Sequence, residues 1–417
     1  MVDYLGSMID SEITIIGAGP GGCSAALSLA NKGLPVLLID QATFPRDKIC
    51  GDALSGKVLI TLKRLNVDFS GEFALLPTIL PSHGVSFVAP NGKMLKVPFR
   101  RVLDPNNPPG FIIKRIHFDN WLFNKASAHP LIRTETGKRI ENFKRENGGW
   151  ILSDKENSFV VNTNLVIAAD GAHSRFAKEV GGINMEDEHF CAGLRGYYSG
   201  VKNLDPNGFI ELHFTKEFLP GYFWVFPLAN GLANVGVGMR SDLVGKKKIN
   251  LRKEMISLIE NHPVLKDRFS EASLIDSIKG YGLPLGSKKR PLSGDGYLLI
   301  GDAAALIDPF TGEGVGNAMI GGLKAGEVVA EIKDKIYSKE ALNAYDVSVY
   351  KRLWPELSLS KKMQELVKYP WLFNLVVNRA SNSKTLRETI SCMFEDVDLR
   401  ARFKNPLFYL KILFERT

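Results

Sequence analysis

The sequence predicts an α/β protein: a Rossmann-like parallel-sheet domain interrupted by a second domain on a mixed or antiparallel sheet, with a helical C-terminal segment. Three observations carry that expectation. Apolar runs ending in glycine-rich turns occur at residues 13–22 (ITIIGAGPGG), 165–174 (LVIAADGAHS) and 297–316 (YLLIGDAAALIDPFTGEGVG), about 130 to 150 residues apart. Between them lie segments that alternate in polarity around turn dipeptides. After about residue 340, apolar residues recur at three- and four-residue steps, through 366–376 and 406–414.

Residues 13–16 form a short apolar run of the kind that makes a buried parallel strand. Gly17, Gly19 and Gly22 then fit G-x-G-x-x-G, with Pro20 between them, and a small-residue helical segment follows over 23–31. The first glycine permits a tight turn, the second lets backbone approach a pyrophosphate, and the third lets the helix pack close to its strand. A pyrophosphate on such a turn is held by the free N–H groups and positive dipole end of the helix. Gly33 marks the helix stop, and residues 36–39 form the next buried strand, ending in Asp40. Asp40 lies 40 − 17 = 23 residues beyond the first glycine, the right reach for a carboxylate that accepts from a ribose hydroxyl. A plain glycine turn accounts poorly for strand, glycines, helix, second strand and acid all in register.

The middle of the chain changes character. Two alternating segments flank Asn91-Gly92 over 85–99, a strong hairpin signal. Another hairpin-rich region covers 138–169, with Asn147-Gly148-Gly149 as a turn, and a third covers 209–239, where Asn230-Gly231 separates two strands. The expected organisation is a discontinuous nucleotide domain over 1–80, 111–185 and 282–340. A β-sheet substrate domain takes 81–110 and 186–281, and a helical region 341–417.

Composition fits a soluble enzyme. The chain has 417 residues, enough for two or three substantial cores, with 45% apolar and 24% charged residues. No run approaches the roughly 18 apolar residues of a membrane span, and the first residues lack a signal-peptide pattern. Four scattered cysteines without a C-x-x-C pair argue against a disulfide scaffold or zinc, and a reducing cytoplasm is the expected compartment. Seven histidines form no metal-binding cluster, so no metal is expected. The net charge of +8, with basic clusters at 246–248, 288–290 and 361–362, fits a solvated surface or contact with an anionic ligand or membrane. No nucleic-acid module accompanies it.

The second and third glycine stretches resemble known flavoproteins. Asp170-Gly171, with Ser174 behind, resembles the D-G motif of relatives of para-hydroxybenzoate hydroxylase, which share the glutathione reductase type of FAD-binding domain. Gly301-Asp302, with Pro309, Gly312-Glu313-Gly314 and Val315, resembles their G-D motif. The resemblance implies FAD, with the Asp302 carboxylate on the ribitol chain and the following helix start facing the flavin N1–C2=O edge. Reduction puts negative charge on that edge, where unpaired N–H donors stabilise it. Residues 113–126 resemble the family helix whose arginine supports the FAD pyrophosphate or ribose, which implies Arg115.

Two further segments select a branch. Residues 44–55 (FPRDKICGDALS) resemble the R-x-K-x-C-G segment of geranylgeranyl reductases, which brings Lys48, Cys50 and Gly51 to the cofactor. Residues 220–227 (PGYFWVFP) resemble their P-G-Y-x-W-x-F-P signature. Gly51-Asp52 departs from the more usual Gly-Gly or Gly-Glu. Tyr222, Trp224 and Phe226 alternate along one strand and face one side, a wall suited to an apolar chain-like substrate. An aromatic core face is the plainer reading of each. Cys50, Tyr222 and Trp224 are the candidate catalytic and substrate-facing residues.

The resemblance implies reduction of a carbon–carbon double bond of an isoprenoid or lipid-like substrate by hydride from reduced FAD. No second nucleotide-binding βαβ unit is evident, so the reductant is expected to be NAD(P)H without a dedicated Rossmann site, or a ferredoxin-like protein. An FAD monooxygenase or halogenase is the alternative. The halogenase W-x-W-x-I-P motif is only half matched, and no clear equivalent of the halogenase lysine stands near 82–87.

Overall fold

A computed structural model describes residues 8–69, 71–100, 104, 107–216 and 218–383. Cys392 and the helical pattern expected over 406–414 lie outside these residues.

The first of the expected strands is longer than its apolar run: it covers Ile9–Ile16 and pairs in parallel with Val36–Asp40 and with Val160–Ala168. Ile132–Thr136 extends the sheet beyond Val36–Asp40, and Tyr297–Leu299 extends it beyond Val160–Ala168, again in parallel. Val36–Asp40 is buried throughout, as a central strand covered on both faces must be. The hairpin over Asn142–Glu146 and Gly149–Ser153 joins this same sheet, antiparallel to the start of Val160–Ala168.

The second sheet runs in the order Ser273–Leu274, Phe190–Ser199, Leu232–Arg240, Tyr222–Leu228, Ile210–His213, Gly84–Val88, Met94–Pro98, with Lys279–Pro284 also paired to Phe190–Ser199. It is mixed, because Ile210–His213 and Gly84–Val88 run in parallel. Both turns expected at Asn91-Gly92 and Asn230-Gly231 join antiparallel neighbours. Met94–Pro98, at the edge, alternates exposed and buried residues. Ala53–Leu54, Gly110–Ile112 and Leu80–Ser82 form a small third sheet. Its strands are two or three residues long, too short to leave a periodic signal.

Two helices carry the first sheet's glycine turns. Pro20–Ala30 is buried along its whole length, and Val315–Val329 packs against it through Gly322 and Gly326. A Cβ on Gly322 would lie 2.3 Å from Gly21 O, and one on Gly326 would lie 2.3 Å from Ser28 Oγ. The helix Lys339–Leu366 adds Leu342, Tyr345, Val349, Leu353 and Leu357 to the same core at three- and four-residue steps. The run expected over 366–376 is broken: that helix ends at Leu366, and a new one, Pro370–Asn382, starts at the proline, which cannot continue a helix but suits its first turn. Phe373, Val377 and Ala380 of this last helix pack on the second sheet.

Candidate FAD and substrate site

The glycine stretches that are far apart in sequence meet at strand ends. Gly17 N donates to Ile39 O at 2.7 Å, Ala169 N to Ile16 O at 2.7 Å, and Ile300 N to Ala168 O at 2.9 Å. Gly17 has φ +101, and a Cβ there would lie 2.4 Å from Ala169 O, so neither its conformation nor its neighbour admits a side chain. These strand ends open into a cavity of about 660 Å³ shared with the second sheet.

Most of the expected site residues line that cavity. They include Gly17, Gly19 and Pro20 at the first turn, Asp40 at the second strand end, and Asp170 and Gly171 beside them. From the third stretch come Gly301, Asp302, Gly312, Gly314 and Val315. Lys48, Cys50, Gly51 and Arg115 complete the floor, and Tyr222 and Trp224 face it from the second sheet. Gly22 and Pro309 do not line it. Gly22 is a packing glycine, since a Cβ there would lie 1.8 Å from Gly17 O. The Pro309 carbonyl accepts from Gln364 Nε2 at 2.6 Å, and its ring borders a smaller cavity behind Tyr222 and Trp224.

Local chemistry holds each polar group. Asp40 accepts from Ala18 N at 2.7 Å and from Ala42 N at 2.8 Å, so its carboxylate braces the glycine turn as well as facing the cavity. The Pro20–Ala30 helix has no side-chain cap at Gly19, which leaves first-turn N–H groups for a ligand. At the Val315–Val329 helix one such group is already taken: Gly316 N donates to Glu313 Oε1 at 2.7 Å. Burial, the largest single influence, would lower the Lys48 ammonium, but Asp302, 3.3 Å away, together with Cys50 and Tyr281 holds the pKa above its usual value. Burial pushes the Asp170 carboxyl up to about 6, and its Oδ1 has no partner.

Arg115, at the cavity, is held by a carboxylate of its own helix. Its Nε and Nη2 donate to Asp119 at 2.6 and 2.8 Å, which fixes the orientation of the guanidinium within the protein. Arg46, not singled out from sequence, shares Asp119 at 2.7 Å and stands beside Gly19, where a Cβ would lie 3.4 Å from its Nη2. It occupies the arginine position of the segment resembling R-x-K-x-C-G.

A second group missed from sequence lies under Cys50. Asp52, fully buried with φ +68, accepts from Arg115 N at 3.2 Å, Tyr197 Oη at 2.7 Å and Asn234 Nδ2 at 2.8 Å. Asn234 Nδ2 also donates to Cys50 O at 2.7 Å, while its Oδ1 accepts from Trp224 Nε1 at 2.9 Å. One amide therefore ties the Cys50 loop to the aromatic wall. Gly51 is needed there, because a Cβ would lie 2.7 Å from the Phe226 ring. Tyr222 and Gly312 are similarly close, with Tyr222 Oη 3.0 Å from the position of a Gly312 Cβ.

The donor set fits FAD. Glycines whose Cβ atoms would intrude, an uncapped helix start and an unpartnered Asp170 oxygen suit a dinucleotide bearing phosphates and hydroxyls. Comparison with known proteins agrees. An FAD binding domain family model matches residues 10–194. The digeranylgeranylglycerophospholipid reductase of Methanosarcina acetivorans is 31% identical over 360 residues, covering 83% of this chain and 80% of that protein. The chain belongs to the geranylgeranyl reductase family. It is an FAD-dependent oxidoreductase. Another family relative is the menaquinone reductase of Mycobacterium tuberculosis, 28% identical over 373 residues, which cover 86% of this chain and 85% of that one. The family fold is seen in a geranylgeranyl bacteriochlorophyll reductase-like protein of Thermoplasma acidophilum. That structure is 24% identical with a TM-score of 0.79, covering 92% of this chain and 96% of the other.

Proposed function

We propose that this geranylgeranyl reductase family member reduces a carbon–carbon double bond of an isoprenoid lipid-like substrate. The observation that carries this is the aromatic face of Tyr222, Trp224 and Phe226, which borders the same cavity as the glycine turns. An apolar chain laid on that face is held by area and orientation, not by hydrogen bonds. FAD, when bound, supplies the hydride.

The chain's residues then have distinct tasks. Gly17, Gly19 and the Pro20–Ala30 helix start hold the pyrophosphate, with Arg46 as the nearby cation. Asp40 and Asp302 accept from the cofactor's hydroxyls. Gly312, Gly314 and Val315 present backbone to the ring that gains charge. Asn234 and Asp52 position Cys50 and Trp224 against each other. NAD(P)H entering without its own Rossmann site, or a ferredoxin-like protein, supplies the electrons. Substrate is collected at a membrane surface to which the protein binds peripherally.

Anaerobic reduction of the purified holoenzyme, followed by addition of geranylgeranyl, menaquinone and phenolic compounds, tests the reading. Flavin reoxidation by a polyprenyl compound with a saturated product is the expected result. Reoxidation only by oxygen, with a hydroxylated or halogenated aromatic product, would overturn it.

A further inference from the structure

On the second sheet, a buried charged side chain stands beside the aromatic wall. Arg195 pairs with Gly236, and Gly236 pairs with Trp224 on the next strand. Residues paired directly across antiparallel strands project to the same face, so Arg195 and Trp224 flank a position that has no side chain. The indole spreads over that gap: a Cβ on Gly236 would lie 2.2 Å from Trp224 Cζ2. The aromatic wall therefore runs up to a guanidinium.

That guanidinium is only partly satisfied. It is 1% exposed and lines the main cavity. It stacks 4.0 Å over the Tyr197 ring, and Nη2 reaches Asp47 at 3.1 and 3.4 Å. Nε and Nη1 have no hydrogen-bond partner. Two buried charged donors without acceptors are costly unless a ligand supplies oxygen atoms, and a guanidinium fork matches a phosphate in particular. Lys114 Nζ lies 4.5 Å from the same Tyr197 ring, but Lys114 is not among the residues lining the main cavity. The Gly17–Gly22 turn, with Arg46, is a separate phosphate cradle on the first sheet.

We infer that Arg195 is the receptor for a phosphate headgroup on the isoprenoid substrate, whose chain lies over Trp224. This rests on the reductase reading above and separates two substrate classes, phosphate-bearing prenyl lipids and neutral quinones. It assigns the chain to the first.

Titration of the oxidised holoenzyme with geranylgeranyl monophosphate and with geranylgeraniol, followed by the flavin absorbance change, reads the preference directly. The wild type is expected to bind the phosphate roughly ten- to a hundred-fold more tightly, the worth of one or two charge-assisted hydrogen bonds. Arg195→Met removes that preference while binding the alcohol as before, and Arg195→Lys keeps part of it. Equal affinities in the wild type, or an unchanged preference in Arg195→Met at full FAD content, overturn the inference. Slower reduction of Arg195→Met by NADPH, with its phosphate preference intact, would assign the cation to the electron donor and also overturn it. Failure of reoxidation by any prenyl compound would remove the reductase reading while the titration still reports on Arg195.

Discussion

At the scale of single residues, Asp52 and Asn234 determine how the Cys50 loop meets the aromatic wall. Asn234 makes three hydrogen bonds from one amide, to Asp52, Cys50 and Trp224. Asn234→Leu leaves a buried indole N–H and a buried carboxylate short of partners. We expect a loss on the order of 2 to 4 kcal/mol in unfolding free energy. FAD content should stay near stoichiometric while turnover falls, and an unchanged turnover with normal FAD would exclude a positioning role. Asp52 also sets a pH dependence. Burial pushes its carboxyl up to about 6, against the pull of donors from Asn234 and Tyr197. In the unfolded chain an aspartate titrates near 3.9, so the folded state holds the proton more tightly. Its contribution to stability is full below pH ~4 and is lost as pH rises through about 6. Asp52→Asn keeps the left-handed backbone, which asparagine tolerates. The wild-type minus variant stability should fall between pH 4 and 7 by on the order of 3 kcal/mol. A flat difference in denaturant titrations would contradict the assignment.

At the scale of elements, two helices begin at the cofactor turns and pack through glycine. Gly322→Ala places a Cβ 2.3 Å from Gly21 O and 2.7 Å from Ala25 N, both backbone atoms that cannot swing aside. The helices must separate, at a cost of about 1 to 3 kcal/mol, and the Gly19–Gly22 turn moves with them. Lower FAD occupancy and a lower melting temperature are expected together. Gly245, in the helix Ser241–Lys247, meets nothing within 4 Å, so Gly245→Ala should be neutral or stabilising by up to ~1 kcal/mol. If both variants behaved alike, close helix contact would not be what Gly322 serves. The same contrast explains what was legible in sequence. Residues 13–40 could be read because strand, turn, helix and acid are all local. The Asn91-Gly92 and Asn230-Gly231 hairpins are local too. The clasp of Asp52, Tyr197 and Asn234 depends on the register of Phe190–Ser199 against Leu232–Arg240, and no spacing along the chain encodes it. Arg195 beside Trp224 was hidden for the same reason. The Pro309 carbonyl bond to Gln364 joins segments 55 residues apart and was hidden likewise.

At the scale of the whole molecule, the two large sheets face one cavity, and the last helix packs on the second sheet. No helix among the described residues is long and apolar enough to cross a membrane. The helix Pro370–Asn382 buries Phe373, Val377 and Ala380 but leaves Trp371 67% exposed, with Leu375 41% and the preceding Tyr369 56% exposed. Trp and Tyr of this kind favour the membrane interface, where a ring is buried and a polar tip stays wet. A net charge of +8 adds attraction to anionic headgroups. We therefore expect co-sedimentation with vesicles of anionic phospholipid at low salt, weakened as salt rises. Trp371→Ala should loosen that binding roughly tenfold or more, the value of burying one large ring. The Trp371 contribution to fluorescence should shift to the blue on binding. Shortening the chain at residue 340 is no substitute for this variant, because it removes Leu342, Tyr345, Val349, Leu353 and Leu357 from the first core. Equal sedimentation of wild type and Trp371→Ala, with no spectral shift, would mean that lipid reaches the cavity without this face touching a bilayer.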